Sequence, residues 1–101
     1  MMTKEQTDKI VAAAIAEANR LCDQMVASIS ARGGTPTQIA RGWRYQKQEF
    51  SRTSKRTERV VCELFDDDGL AFESREELLA AIDVYCDAGI AQVERRSRLA
   101  A

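Results

Sequence analysis

The residues with the clearest capacity for chemistry in this sequence are seven cations between positions 41 and 59. Arginine and lysine neutralise phosphates, and the serine and threonine hydroxyls among them can donate hydrogen bonds to phosphate oxygens. Trp43 and Tyr45 lie in the same segment, and exposed aromatic rings can stack on bases. The segment therefore predicts a surface that binds nucleic acid or an acidic protein. Its cations are Arg41, Arg44, Lys47, Arg52, Lys55, Arg56 and Arg59.

The charges are sorted along the chain, although the formal net charge is only −1. Residues 32–59 carry eight cations and two anions, whereas residues 60–94 carry ten anions and one cation. Blocks of this size create local fields that steer charged partners. The two blocks could equally pair with each other inside the fold. The near-neutral total weakens the case for a dedicated nucleic-acid binder, because most such proteins are clearly basic.

An aspartate triplet followed by a glycine predicts an exposed acidic turn and a second partner surface. A calcium loop with Gly69 at its sixth position would need an acidic ligand at Leu64 and a glutamate at Arg75. Neither position carries one, so no metal site is predicted. The acidic partner surface consists of Asp66, Asp67 and Asp68.

Several catalytic chemistries are missing from this sequence. It contains no histidine, which removes the commonest general base and the Ser-His and Cys-His nucleophile pairs. Cys22, Cys62 and Cys86 are widely spaced and form no CxxC pair, so they are interpreted as reduced core residues of a cytoplasmic protein. The five glycines form no phosphate-binding loop. We therefore expect a non-enzymatic protein that uses neither a metal nor a cofactor.

Three capping boxes predict where the helices that carry these residues begin. In a capping box, a Ser or Thr side chain accepts from the amide three residues later, and the residue there reaches back to the cap amide. Pro36 follows one of the boxes at the first helical position, where its missing N–H costs nothing. The boxes are Thr3 with Gln6, Thr35 with Gln38 and Ser74 with Glu77.

The first predicted helix spans about residues 4–31 and carries an apolar stripe with a spacing of alternating four and three residues. Gly33 and Gly34 follow the stripe and end the helix. Such a stripe predicts either a face that packs on the chain's own core or the seam of a homodimer. Ala18 lies on it. The possible seam consists of Val11, Ile15, Cys22, Met25 and Ile29.

The rest of the chain predicts an α+β fold in a single domain, residues 1–101. A second helix begins at Pro36 and reaches at least Phe50. Residues 58–65 are rich in strand formers, residues 66–69 give a turn signal, and residues 70–73 would return as the second strand of a short β-hairpin. A C-terminal helix begins at Arg75. The alternative is an all-α fold, in which one helix over residues 36–64 pairs antiparallel with the first and a third helix follows.

These observations predict a small, non-enzymatic regulatory protein that docks on a protein or nucleoprotein complex through its segregated charges. Proteins of this type include phage- or plasmid-encoded inhibitors of nucleic-acid machines, such as anti-CRISPR proteins. The alternative is direct nucleic-acid binding by the basic segment 41–59. An enzyme that uses a cysteine or a carboxylate is the third hypothesis. The apolar run at residues 10–16 is far shorter than the ~20 residues of a membrane span, so we expect no membrane partner and a cytoplasmic location.

Overall fold

The structure, a computed structural model, describes residues 2–65 and 72–100, which form four helices. No strand occurs in these two ranges. The helices are α1 (Lys4–Ala31), α2 (Pro36–Gln48), α3 (Lys55–Glu63) and α4 (Arg75–Ala100).

The capping boxes act where the sequence predicts them. The Thr3 amide donates to Gln6 Oε1 at 2.8 Å, and the Gln6 amide donates back to Thr3 Oγ1 at 3.1 Å. The same pair of bonds joins Thr35 and Gln38 at 2.9 and 3.2 Å. At the start of α4, the Glu77 amide donates to the Ser74 side chain at 3.2 Å. The predicted starts of α1, α2 and α4 are confirmed.

The predicted β-hairpin over residues 58–73 is wrong, and with it the α+β fold class. Residues 55–63 form helix α3. Thr57 and Val61 lie four residues apart on one face of this helix and are buried, at 2% and 0% exposure. Tertiary packing of this face overrides the strand preference of the segment, because β propensity depends strongly on context. The predicted turn at residues 66–69 lies outside the described residues.

Two aromatic residues that the hairpin prediction had placed in paired strands still meet. Phe65 follows α3, Phe72 precedes α4, and their rings lie edge to face with centroids 5.3 Å apart. Phe65 is buried at 3% exposure. These two apolar side chains therefore pack against each other between helices rather than in a sheet.

The all-α class of the alternative prediction agrees with the four helices of the described residues, but its single helix over residues 36–64 is not observed. Helix α2 ends at Gln48, and α3 begins only at Lys55. Between them, the Ser51 and Thr53 hydroxyls hydrogen-bond each other at 2.9 Å, and the Thr53 amide donates to Ser51 Oγ at 3.3 Å. Hydroxyl side chains that bond locally in this way compete with helical backbone bonds, and here they accompany a turn.

Helices α1 and α4 run in the same direction along the long axis of the molecule. Asn19 contacts Gln92, and Asp23, four residues later, contacts Arg96, four residues after Gln92. Helix α2 runs antiparallel to α4, because Lys47 pairs with Glu94 whereas the later residue Phe50 approaches Gly89. The molecule is elongated, with extents of 48 × 22 × 20 Å.

One hydrophobic core includes residues from all four helices. Its α1 face is a stripe of small and medium side chains, which lets α4 lie close. The α1 residues in this face are Ile10, Ala14, Ala18, Cys22, Met25 and Ile29. Among the described residues, no helix combines the length and apolar character that crossing a membrane requires.

The residues of the possible dimer seam divide between the core and the surface. Cys22, Met25 and Ile29 are buried in the chain's own core. Val11 is half-buried, and Ile15 is 37% exposed. A second copy could therefore reach only these two of the five residues without opening the core, and homodimerisation stays a prediction.

Candidate docking surface on the second helix

The seven cations of the predicted binding segment divide into two groups. Four are held by carboxylates of the same chain, and three of these four pair with the acidic block at residues 60–94, as the internal-pairing alternative expects. Three make no ion pair within the described residues. The first group is Lys47, Arg52, Arg56 and Arg59. The second is Arg41, Arg44 and Lys55.

Arg56 is the most enclosed of the paired cations. Its guanidinium donates to Glu17 Oε1 of α1 at 2.7 Å and to Glu49 Oε2 at the end of α2. The side chains of Glu17 and Glu49 are only 24% and 23% exposed. Glu17 also accepts from Arg20 at 2.9 Å. The Arg20 hydrogen bond, with a smaller contribution from Arg56, lowers the pKa of Glu17.

Arg52 crosses from the α2–α3 connection to α4. Its Nε donates to Asp83 Oδ1 at 2.7 Å, and its Nη2 pairs with Asp87. All three side chains are at least half exposed. Pairs of this kind contribute about 0–1 kcal/mol each, so Arg52 is occupied by its partners but stabilises the fold little.

The two remaining paired cations lie on the surface. Lys47 Nζ is 3.1 Å from Glu94 Oε1, which joins α2 to α4. Arg59 is 3.8 Å from Glu63, one turn later on α3. Much of the charge sorting seen in the sequence is therefore neutralised inside the molecule.

Two of the three cations without an internal partner in the described residues lie on the outer face of α2, and the third, Lys55, begins α3. Arg41 and Arg44 are exposed, three residues apart, and Tyr45 beside them is 58% exposed. We call Arg41, Arg44 and Tyr45 the α2 basic face. A hydrogen bond to Glu49 raises the pKa of the Tyr45 hydroxyl. Glu49 itself is neutralised by Arg56, so the nearest carboxylate does not cancel the charge of this face.

A pocket of about 430 Å³ lies on one side of the α2 basic face, between α2 and the C-terminal end of α1. We call it the α1–α2 pocket. Two arginines, Arg32 and Arg41, line it, and none of the described acidic residues does. The lining residues are Met25, Ser28, Ile29, Arg32, Gln38, Arg41, Gly42, Tyr45 and Gln46.

A second, open depression lies on the other side of the face, between α2 and α4, with a volume of about 440 Å³. We call it the α2–α4 groove. Three cations and the carboxylate of Glu94 line it, over a floor that includes Trp43. The lining residues are Ala40, Trp43, Arg44, Lys47, Glu94, Ser97 and Arg98. Positive charge therefore continues from Arg32 at one edge, across α2, to Arg98 at the other.

Gln46 combines burial with an unmet hydrogen bond. The residue is 7% exposed and lines the α1–α2 pocket. Its Oε1 is the one buried side-chain polar atom among the described residues that has no hydrogen-bond partner. Leaving a buried acceptor unpaired costs about 1–3 kcal/mol. In the sequence Gln46 lies on the apolar stripe of α2, and nothing there distinguishes it as functional.

The remaining predicted groups are the cysteines and the aspartate triplet. Groups of acidic, cysteine or histidine side chains placed to hold a metal are absent from residues 2–65 and 72–100. Cys22 and Cys86 are buried. Burial raises the pKa of both thiols, that of Cys86 to about 11, so neither is a thiolate at neutral pH. Asp66, Asp67 and Asp68 lie outside the described residues.

Burial predicts a loss of stability in alkaline solution. It raises the pKa of Tyr85 from 10.0 to about 12 and that of Cys86 from 9.0 to about 11. Both groups are neutral when protonated, so their contribution is complete below pH 9 and is lost as the pH rises through 9 to 12. The urea concentration at the midpoint of unfolding should therefore decrease as the pH is raised from 8.5 to 11.

The matched variant for this prediction is Tyr85→Phe, which removes the ionisable hydroxyl and keeps the ring. It should lose less stability than the wild-type protein above pH 10, the ordinary pKa of tyrosine. An identical pH dependence in the two proteins would show that Tyr85 ionises as freely in the folded state as in the unfolded chain.

Comparison of the chain with protein-family models, curated proteins and solved structures gave no match.

Proposed function

We propose that this protein is a non-enzymatic binding protein that docks on a nucleoprotein complex through the α2 basic face. The proposal rests on two arginines of α2, Arg41 and Arg44, that are not used inside the described part of the fold. Both are exposed and make no ion pair in the described part of the chain, whereas four of the other five cations in the segment are paired. An arginine without an internal partner keeps its donors for a phosphate or a carboxylate on a partner.

A nucleoprotein complex suits this surface better than free duplex nucleic acid. The net charge of −1 and the acidic second half of the chain oppose general attraction to a polyanion. Binding therefore depends on a local match between the α2 basic face and an accessible phosphate strand or acidic surface. Occupying such a site on a nucleic-acid machine would inhibit it, which is the phage- or plasmid-type role that the sequence predicts.

Direct nucleic-acid binding is the second candidate, and the exposure of Tyr45 favours it. Its ring is 58% exposed beside two arginines, an arrangement that suits stacking on an unpaired base. The contact surface would then be Arg41, Arg44 and Tyr45. Arg52 and Arg56 would not contribute, because intramolecular carboxylates occupy them.

The proposal is tested by capture of partners from a host lysate with two double variants that change the charge equally. Arg41→Gln/Arg44→Gln removes two charges from α2, and Lys55→Gln/Arg59→Gln removes two from α3. We expect the α2 variant to capture at least about tenfold less of the partner than the wild-type protein does, because a hydrogen bond to a charged group contributes about 1.5–3 kcal/mol. The α3 variant should capture as the wild-type protein does.

Nuclease treatment of the lysate separates the two candidates. Capture that survives nuclease and depends on α2 supports docking on the complex, whereas capture abolished by nuclease supports direct nucleic-acid binding. Equal capture by both double variants and the wild-type protein would eliminate the α2 basic face as the docking surface.

A further inference from the structure

The α1–α2 pocket has a composition that restricts what it can bind. Arg32 and Arg41 give it two positive charges and no carboxylate opposes them, so the ligand must carry an anionic group. Gln46 lines the pocket and its buried Oε1 has no partner, so its amide would gain a hydrogen bond by turning towards a ligand that brings an N–H donor. The apolar surface of Met25 and Ile29 calls for a hydrophobic or planar body between these two groups.

We propose that the α1–α2 pocket binds one unstacked nucleotide of a single strand, with adenine preferred. The inference rests on the proposed function, because Arg41 and Tyr45 belong both to the pocket and to the α2 basic face. A nucleotide joins a phosphate, a planar ring and exocyclic or ring N–H donors in one unit. These are the three features that the pocket requires.

The phosphate is bound by the two arginines at the rim. Arg32 Nε donates to the Ser28 carbonyl oxygen at 3.2 Å, which orients the guanidinium at the end of α1. Its terminal nitrogens bond no other acceptor within the described residues, and Arg41 likewise makes no ion pair there. Two guanidinium groups on adjacent helices can hold one phosphate from two sides.

The base is recognised by Tyr45 and Gln46. The exposed ring of Tyr45 offers a stacking surface, and stacking on an aromatic side chain contributes about 1–3 kcal/mol per base. The terminal torsion of a glutamine is broad, so a rotation of the Gln46 amide turns its oxygen towards the pocket. A glutamine amide pairs with adenine through two bonds, accepting from N6 and donating to N7.

The pocket volume agrees with this assignment. Sites for small ligands commonly enclose about 300–1,000 Å³, and the α1–α2 pocket has about 430 Å³. That space suits one nucleotide rather than a helix or a folded segment. Arg44 lies beyond the pocket, on the α2–α4 groove, where it can contact the phosphate of the next nucleotide. A second phosphate contact next to the pocket favours a nucleic-acid strand over a free nucleotide as the ligand.

The test is fluorescence anisotropy with labelled single-stranded oligo(A) and oligo(U) of equal length, and with AMP and inorganic phosphate as competitors. A bidentate contact discriminates by about 1–3 kcal/mol, so oligo(A) should bind at least about fivefold more tightly than oligo(U). AMP should compete more weakly than unlabelled oligo(A), and phosphate more weakly still. Equal binding of oligo(A) and oligo(U), or no binding, overturns the inference. If AMP competes as strongly as oligo(A), the bound nucleotide does not need to belong to a strand, and that part of the inference is overturned.

Three variants assign the recognition to individual side chains. Gln46→Met removes the unpaired oxygen at similar volume, so it should abolish the preference for oligo(A) while the thermal midpoint rises or stays unchanged. Gln46→Glu keeps an acceptor but no donor, which should favour oligo(C), because a carboxylate accepts from cytosine N4. Arg44→Gln should weaken the binding of oligo(A) and of oligo(U) by the same factor. A preference for oligo(A) that survives Gln46→Met overturns the assignment of Gln46.

The two proposals fail in distinguishable ways. If partner capture is lost in Arg41→Gln/Arg44→Gln but oligonucleotides show no base preference, docking on α2 stands and the nucleotide site is rejected. Nuclease-resistant capture with no binding of any oligonucleotide also rejects it, in favour of an acidic protein surface. If the double variant captures normally, the docking proposal itself is rejected.

Discussion

Gly89→Ala is expected to destabilise the protein by about 2–3 kcal/mol, the cost of forcing an extra methyl group into a packed core. A Cβ at this position would lie 2.2 Å from Cδ1 and 2.6 Å from Cγ of Phe50, whose side chain is 1% exposed. The ring cannot move aside cheaply, because it is itself enclosed and packs against Tyr85 with centroids 5.6 Å apart. In an exposed helix the same substitution would stabilise by roughly 0.5–1 kcal/mol, so the sign of the effect reports the packing.

The matched control is Gly42→Ala in α2. A Cβ there would meet Met25 Sδ at 2.7 Å, and a methionine side chain is flexible enough to adjust. We expect a change of less than about 1 kcal/mol at this position, since the gain in helix propensity offsets the adjustment. Urea unfolding followed by circular dichroism measures both variants.

A double variant identifies the cause at Gly89. Once Phe50→Ala has removed the ring, adding Gly89→Ala should cost nothing further, because the new methyl group enters the space that the ring has left. If Gly89→Ala destabilises equally with and without Phe50, the clash between the two residues is not the reason, and the packing described for α4 is incorrect.

Arg56→Gln is expected to destabilise by about 1–2 kcal/mol, between the values for exposed and buried ion pairs. The substitution leaves Glu17 and Glu49 without the cation that lies between them, and both carboxylates are mostly shielded from water. It also removes a connection of α3 to α1 and to the end of α2. The control is Arg52→Gln, which breaks two exposed pairs with α4 and should cost less than about 1 kcal/mol.

The pH dependence of this difference gives a second measurement. The pKa of Glu17 is lowered from 4.5, so its contribution to stability is present above pH 4.5 and is lost as the pH falls through the lowered value. The gap between the wild-type protein and Arg56→Gln should therefore be full at pH 7 and narrower at pH 3. The Arg20 pair with Glu17 is present in both proteins, so it does not contribute to this gap, which reports Arg56 alone. A gap that is equal at both pH values would argue against an electrostatic cause.

The sequence by itself determined the beginnings of three helices. Thr3, Thr35 and Ser74 act on amides only three residues away, and an interaction of that range can be identified without knowing the rest of the fold. The stripe on α1 was identified for the same reason, since its period is a property of the helix alone. The stripe did not show that Ile10 and Ala14 face the core while Ile15 is partly exposed.

Residues 55–63 show where local preference was insufficient. Val60, Val61 and Cys62 favour strands when they are considered alone, but a two-stranded hairpin is marginal without further support. As a helix, the segment buries Thr57 and Val61 against the common core. That gain depends on the position of the other helices, so the sequence pattern of the segment could not indicate it.

Only the tertiary structure decided which charges are available to a partner. Arg52 reaches carboxylates 31 and 35 residues away, and Arg56 reaches one 39 residues away, whereas Arg41 and Arg44 find none among the described residues. All four have the same chemistry and lie in one block of sequence. An ion pair requires that a carboxylate be within about 4 Å in space, and for separations of this length the fold alone sets that distance. The cluster that the sequence presents as one basic segment is therefore two groups, one that is paired with carboxylates of the same chain and one, including Arg41 and Arg44 on the outer face of α2, that makes no ion pair among the described residues.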